Sequence, residues 1–97
     1  MKRKEEIIEN LKSAKSVLME TCDINEIGIF GSYSRNEQTE SSDIDILVEF
    51  RKNIGLIQLM KIENYIKNLI GENADIVIKS DIRPELKDEI LRETIFI

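Results

Sequence analysis

The sequence predicts an α/β (α+β) domain, a small mixed β-sheet covered by helices. Two stretches, 2–19 and 56–70, carry apolar residues three and four positions apart, which gathers them on one face of a helix. Short runs rich in β-branched residues lie between and after these stretches, as strands do. The two kinds of segment alternate through 97 residues with no linker, low-complexity segment or repeat. A chain of this length forms one core and buries roughly two-thirds of the surface it would expose unfolded, so residues 1–97 are expected to be a single domain.

The first helix is expected from Lys2 to Met19, on the stripe Ile7, Ile8, Leu11, Ala14, Val17 and Leu18. Ile27 to Phe30 reads as a short strand ending at Gly31-Ser32. A second strand follows from Asp43 to Phe50, where Ile44, Ile46 and Val48 alternate with Asp43, Asp45 and Leu47. Leu56, Leu59, Met60, Ile66, Leu69 and Ile70 mark a second long helix, and Gly71 just beyond it is a suitable stop. Ala74 to Ile78 is the third strand. Pro84 suits the first turn of a closing helix containing Leu86, Ile90 and Leu91, and Ile95-Phe96-Ile97 either adds a short strand or packs. The helix stripes read as core, and Arg51-Lys52 as solvated surface.

Composition narrows the chemistry. The chain has no histidine and only one cysteine, Cys22, so histidine bases, histidine-bound zinc, Cys-His nucleophiles and internal disulfides are all excluded. Cys22 is read as a packing residue. Carboxylates remain as the main acid, base and metal-binding groups, and oxygen ligands favour hard cations such as Mg2+. A net charge of −5 argues against general nucleic-acid binding, which draws on lysine and arginine. No run approaches the roughly 20 apolar residues needed to span a bilayer, and Met1-Lys2-Arg3-Lys4 leads into Glu5-Glu6 and not into an apolar signal region. A cytoplasmic location is expected, with no membrane contact.

The candidate site is a set of individually weak features. Asp43 and Asp45 stand two apart in a strand, on one face about 6 to 7 Å from each other, and form either a metal-binding pair or the polar side of an edge strand. Asp75, near the start of the third strand, is either a third member of that cluster or a solvated residue. Gly31-Ser32 is either a simple turn or a place where backbone N–H groups and a hydroxyl meet phosphate oxygens. Arg35 could serve the phosphates or pair with an acid.

Taken together, Gly31-Ser32-Tyr33-Ser34-Arg35 followed by Ser42-Asp43-Ile44-Asp45-Ile46-Leu47-Val48 resembles the signature of the DNA polymerase β-like nucleotidyltransferase superfamily: Gly-Ser, a spacer of about ten residues, then Asp-x-Asp on a strand. The short chain is similar to the minimal nucleotidyltransferase group, in which the domain is often the antitoxin of a HEPN-domain toxin. That resemblance spans nearly the whole chain and implies a nucleotidyltransferase fold. It also implies catalytic, Mg2+-binding roles for Asp43, Asp45 and Asp75, and contacts from Gly31, Ser32 and Arg35 to the nucleotide. The implied reaction is transfer of AMP from ATP to a hydroxyl of the toxin, releasing pyrophosphate. A non-catalytic antitoxin that acts by contact, or transfer to a small molecule, are the alternatives, and a homo-oligomer is compatible with each. Asn36 departs from the family's usual glycine, but asparagine tolerates the left-handed backbone that such a turn needs.

Overall fold

The structure is a computed structural model describing residues 3–97, so the Lys2 end of the expected first helix lies outside the described residues. That helix is in fact two, α1 (Lys4–Ser13) and α2 (Lys15–Glu20), separated at Ala14 with φ −97° and ψ 4°. The Ser13 hydroxyl donates to the Glu9 carbonyl at 3.0 Å, a back-bond to the preceding turn that bends helices. Ile7, Leu11, Ala14 and Leu18 reach the core, whereas Val17, expected among them, is 42% exposed.

Strand β1 (Ile24–Phe30) starts three residues before its predicted start. A bulge between Ile24 and Glu26 interrupts the period-two pattern by which strands are recognised. Its partner β2 (Ile44–Phe50) runs antiparallel to it, and α3 (Leu56–Ile70) then crosses over to β3 (Ala74–Ile78), which pairs with β2 in parallel. After a single 3-10 turn, Lys79–Asp81, helix α4 (Pro84–Glu93) leads to β4 (Ile95–Phe96), antiparallel to β1. The sheet order is β3-β2-β1-β4, and two of the element ends follow from local signals: Gly71 ends α3 at φ 139°, and Pro84 opens α4.

One face of the sheet forms the core. Ile27, Ile29, Ile44, Ile46, Val48 and Ala74 pack there with Ile7, Leu11 and Leu18 of the first two helices and Ile62, Ile66 and Ile70 of α3. The helix stripe of α3 is thus shifted from the predicted set. Leu56 and Met60 are 73% and 55% exposed, Ile57 beside them is 73% exposed, and Ile62 takes the inward position. Cys22 is buried in this core, and burial, reinforced by neighbouring Asp23, raises the pKa of its thiol. Arg51 and Lys52 are exposed as expected, but both ion-pair with Asp23, at 3.2 and 3.4 Å, and the Arg51 contact leads the causes that lower the Asp23 pKa.

The opposite face is only partly covered. Leu47, only 1% exposed, and Phe30 lie there, since residues paired across strands share a face and Phe30 is opposite Asp45. Gly28 lets the α4–β4 junction approach this side: a Cβ at Gly28 would lie 2.6 Å from Thr94 Cγ2 and 2.7 Å from the Ile95 carbonyl oxygen. None of the helices among the described residues is long and apolar enough to cross a membrane.

Candidate active site

The site forms where β1 ends and β2 begins. Immediately after Phe30 the chain turns at Gly31, whose φ of 76° lies in the left-handed region that side chains with a Cβ avoid. The turn is a compact coil. Ser34 and Arg35 donate their backbone N–H groups to the Gly31 carbonyl at 3.1 and 3.2 Å, the Ser34 hydroxyl adds a bond to the same oxygen at 2.8 Å, and the Ser32 carbonyl accepts from Glu37 N–H at 2.9 Å. Tyr33, only 2% exposed, pins the loop to the core. Asn36 closes it at φ 58°, the left-handed conformation that asparagine tolerates.

Asp45 sits beside this turn, opposite Phe30 on β1 and opposite Asp75 on β3. Gly31 packs so tightly on it that a Cβ there would overlap Asp45 Oδ2, with Cγ at 3.1 Å. The alignment of β2 with β3 is fixed at their first residues: Ile44 N–H donates to the Asn73 carbonyl at 2.9 Å, and the Asn73 side-chain amide donates to the Ser42 carbonyl at 2.8 Å. Asp43 lies just before β2 and not within it, and it is exposed, as is Asp75.

Asp45 is half-buried, and its carboxyl is pushed above the ordinary range by burial first, then by the negative charges of Asp75 and Asp43; Glu93 adds to this and Arg35 opposes it. The three aspartates therefore share one field. Among the described residues, however, no three acidic groups are gathered closely enough to hold an ion by themselves. The donor chemistry still suits Mg2+, which commonly takes one or two carboxylates and completes its shell with substrate phosphates and water.

Of the two readings open for Arg35 in sequence, contact with phosphate or pairing with an acid, the structure shows an acid pair. Its guanidinium is paired, Nε with Glu37 Oε1 at 2.6 Å and Nη1 with Glu93 Oε2 at 3.0 Å. The same Glu93 accepts the Gly31 backbone N–H on Oε1 at 3.0 Å. Sequence reasoning passed over Glu93, 62 residues from Gly31, because no motif spacing connects them. The available signal was an acid in the last position of a helix, where the macrodipole disfavours negative charge. A concavity of about 690 Å³ lined by Phe50, Ile54, Leu56, Lys79 and Lys87 contains none of these site residues.

Known proteins share the sequence family and the fold. The nucleotidyltransferase domain family matches residues 4–97. The protein adenylyltransferase MntA of Thermococcus cleftensis is 39% identical over 93 residues, covering 96% of this chain and 94% of that one. A structure described provisionally as a minimal nucleotidyltransferase superposes with a TM-score of 0.83 at 29% identity, covering 97% of this chain and 95% of the other. A toxin-antitoxin solved with AMP-PNP shares the fold at 22% identity and a TM-score of 0.67, covering 96% of this chain and 70% of that one. The chain belongs to the nucleotidyltransferase domain family and has the fold of a minimal nucleotidyltransferase.

Proposed function

We propose that residues 1–97 act as a single Mg2+-dependent protein adenylyltransferase domain, which transfers AMP from ATP to a hydroxyl side chain of a HEPN-type toxin and so serves as a cytoplasmic antitoxin. The observation that carries this is the row Phe30, Asp45, Asp75 across three paired strands, which sets two carboxylates beside the tightly packed Gly31 turn. The activity named for the Thermococcus relative supports the reaction class. AMP-PNP, named with the toxin-antitoxin of the same fold, is an ATP analogue, the class of ligand this site would take.

Asp43 and Asp45, with Asp75 beside them, would hold Mg2+, which supplies charge neutralisation and a template for the phosphates. The Asp45 pKa is raised by burial first and then by the negative charges of Asp75 and Asp43, and a cation would relieve the charge part of that cost. Gly31 and Ser32 would face the triphosphate, with Arg35 as the nearby cation. Asp75, on the edge strand β3 and exposed, would accept the proton of an incoming hydroxyl. The hydroxyl oxygen bonds to the α-phosphorus, the bond from that phosphorus to the bridging oxygen breaks, and pyrophosphate carries away the electron pair.

The test is intact-mass spectrometry of the protein co-expressed with the product of the adjacent gene. An added AMP on that partner, lost with Asp75→Ala while the complex persists, is the expected result. A partner that is neutralised but unmodified would overturn the enzymatic reading in favour of neutralisation by contact. That second reading draws on the exposed Leu56, Ile57 and Met60 at the start of α3, an apolar patch available for docking.

A further inference from the structure

We propose that Glu93 competes with the triphosphate for the loop's donors: its carboxylate holds the Gly31 N–H and the Arg35 guanidinium and is exchanged for a phosphate oxygen when nucleotide binds. The proposal rests on the nucleotidyltransferase reading above. One carboxylate spans both groups, Oε1 on Gly31 N–H and Oε2 on Arg35 Nη1, each at 3.0 Å. A backbone N–H at a glycine turn and a guanidinium aimed at one anion are what a phosphate oxygen pair meets in a phosphate-binding loop. Glu93 therefore presents the same two-oxygen, negatively charged pattern as the ligand the loop would take.

Its position speaks against a purely local role. Glu93 ends α4, where the unpaired carbonyls repel an acid, and it is also one of the charges that raise the Asp45 pKa. The contacts to Gly31 and Arg35 offset that local cost. Motion would be confined to the side chain. Thr94 is held by its hydroxyl bond to the Ile90 carbonyl at 2.6 Å and by close packing on Gly28, and Ile95 is paired with Ile29. The Glu93 backbone is thus anchored on its C-terminal side, while its side chain, 23% exposed, can rotate toward solvent. Arg35 keeps Glu37 as a second partner at 2.6 Å, so its guanidinium stays near the loop during the exchange. Two anions cannot share one N–H, so triphosphate binding requires Glu93 to leave Gly31.

Calorimetric titration with tripolyphosphate and with ATP, each in the presence of Mg2+, tests this on wild type and Glu93→Gln. The glutamine keeps a neutral acceptor for Gly31 but removes the competing charge, so both probes should bind about fivefold more tightly; equal or weaker binding would overturn the proposal. A measurement on wild type stands independently of how the variant folds. With ¹³C-labelled glutamate carboxyls, the Glu93 Cδ resonance should move with the same midpoint as the Gly31 amide during the tripolyphosphate titration. A shifting Gly31 amide beside a stationary Glu93 carboxyl would overturn it as well. If wild type binds neither probe with Mg2+, the nucleotidyltransferase reading fails and takes this proposal with it.

Discussion

Replacing Gly31 with alanine should damage the site and the fold together, by an amount that two separate costs determine. Gly31 has φ 76°, and the left-handed conformation costs an L-residue about 1 to 2 kcal/mol. The new Cβ would also overlap Asp45 Oδ2, forcing that side chain off its rotamer for about 1 kcal/mol. The sum is about 2 to 3 kcal/mol, and with about 4 °C or more of melting temperature per kcal/mol for a domain of this size, Gly31→Ala should melt at least about 8 °C lower. Only the second cost depends on residue 45. In a double-mutant cycle with Asp45→Ala, the pair should therefore be less destabilised than the sum of the singles by about 1 kcal/mol. Denaturant melts of the four proteins measure this. Additivity within about 0.3 kcal/mol would refute the contact between Gly31 and the Asp45 carboxylate, and an unchanged melting temperature for Gly31→Ala would refute the turn as described.

Asp45→Asn should stabilise the fold near neutral pH. A carboxyl whose folded pKa is raised above its ordinary value of 3.8 binds its proton more tightly folded than unfolded, so its ionisation costs stability as pH rises through the folded pKa. The gain from asparagine is full above that pKa and disappears below 3.8; pH-dependent melts of both proteins check it, and a gain that grows on acidification would contradict the charge cluster. Asp43→Asn with Asp45→Asn should abolish AMP transfer while the melting curve stays level or rises, whereas an unfolded double variant would make the two residues structural. Gly28→Ala should destabilise by about 1 to 3 kcal/mol, since its Cβ would meet Thr94 and Ile95; hydrogen exchange should locate the loss in β4, and protection unchanged there would contradict the close approach. ATP should bind distinctly better with Mg2+ than in EDTA, because the carboxylates otherwise repel the phosphates; equal affinity by calorimetry would count against a metal role for the aspartates.

The sheet and its helices were legible where local chemistry marks an end. Gly71 stops α3, Pro84 starts α4, and the isoleucines of β2 and β3 alternate or run together as strands do. Legibility failed where tertiary contacts decide. The bulge at Ile24/Glu26 hid the first half of β1, the first helix breaks at Ala14, and the start of α3 carries leucine, isoleucine and methionine that face solvent. Within the site, the carboxylates could be read as candidates because strands rarely carry them. Their alignment could not, since the pairing of Asp45 with Asp75 is a property of register. Tyr33, an aromatic anchor inside a polar loop, and Glu93, reached only through the fold, were out of range for spacing arguments.

The pairing of Asp45 with Asp75 also constrains folding itself. Side chains alternate faces along a strand, so a slip of one residue in β2 would turn Asp45 and Glu49 into the isoleucine core and expel Ile44, Ile46 and Val48. Uncompensated carboxylates in an apolar interior are far costlier than any ladder mismatch, and misaligned strands would be rejected on that ground alone. The amide of Asn73, donating to the Ser42 carbonyl at 2.8 Å, holds the same offset at the mouth of the site. The acidic residues thus act as proofreaders of strand alignment, and selection on chemistry and selection on foldability bear on the same positions.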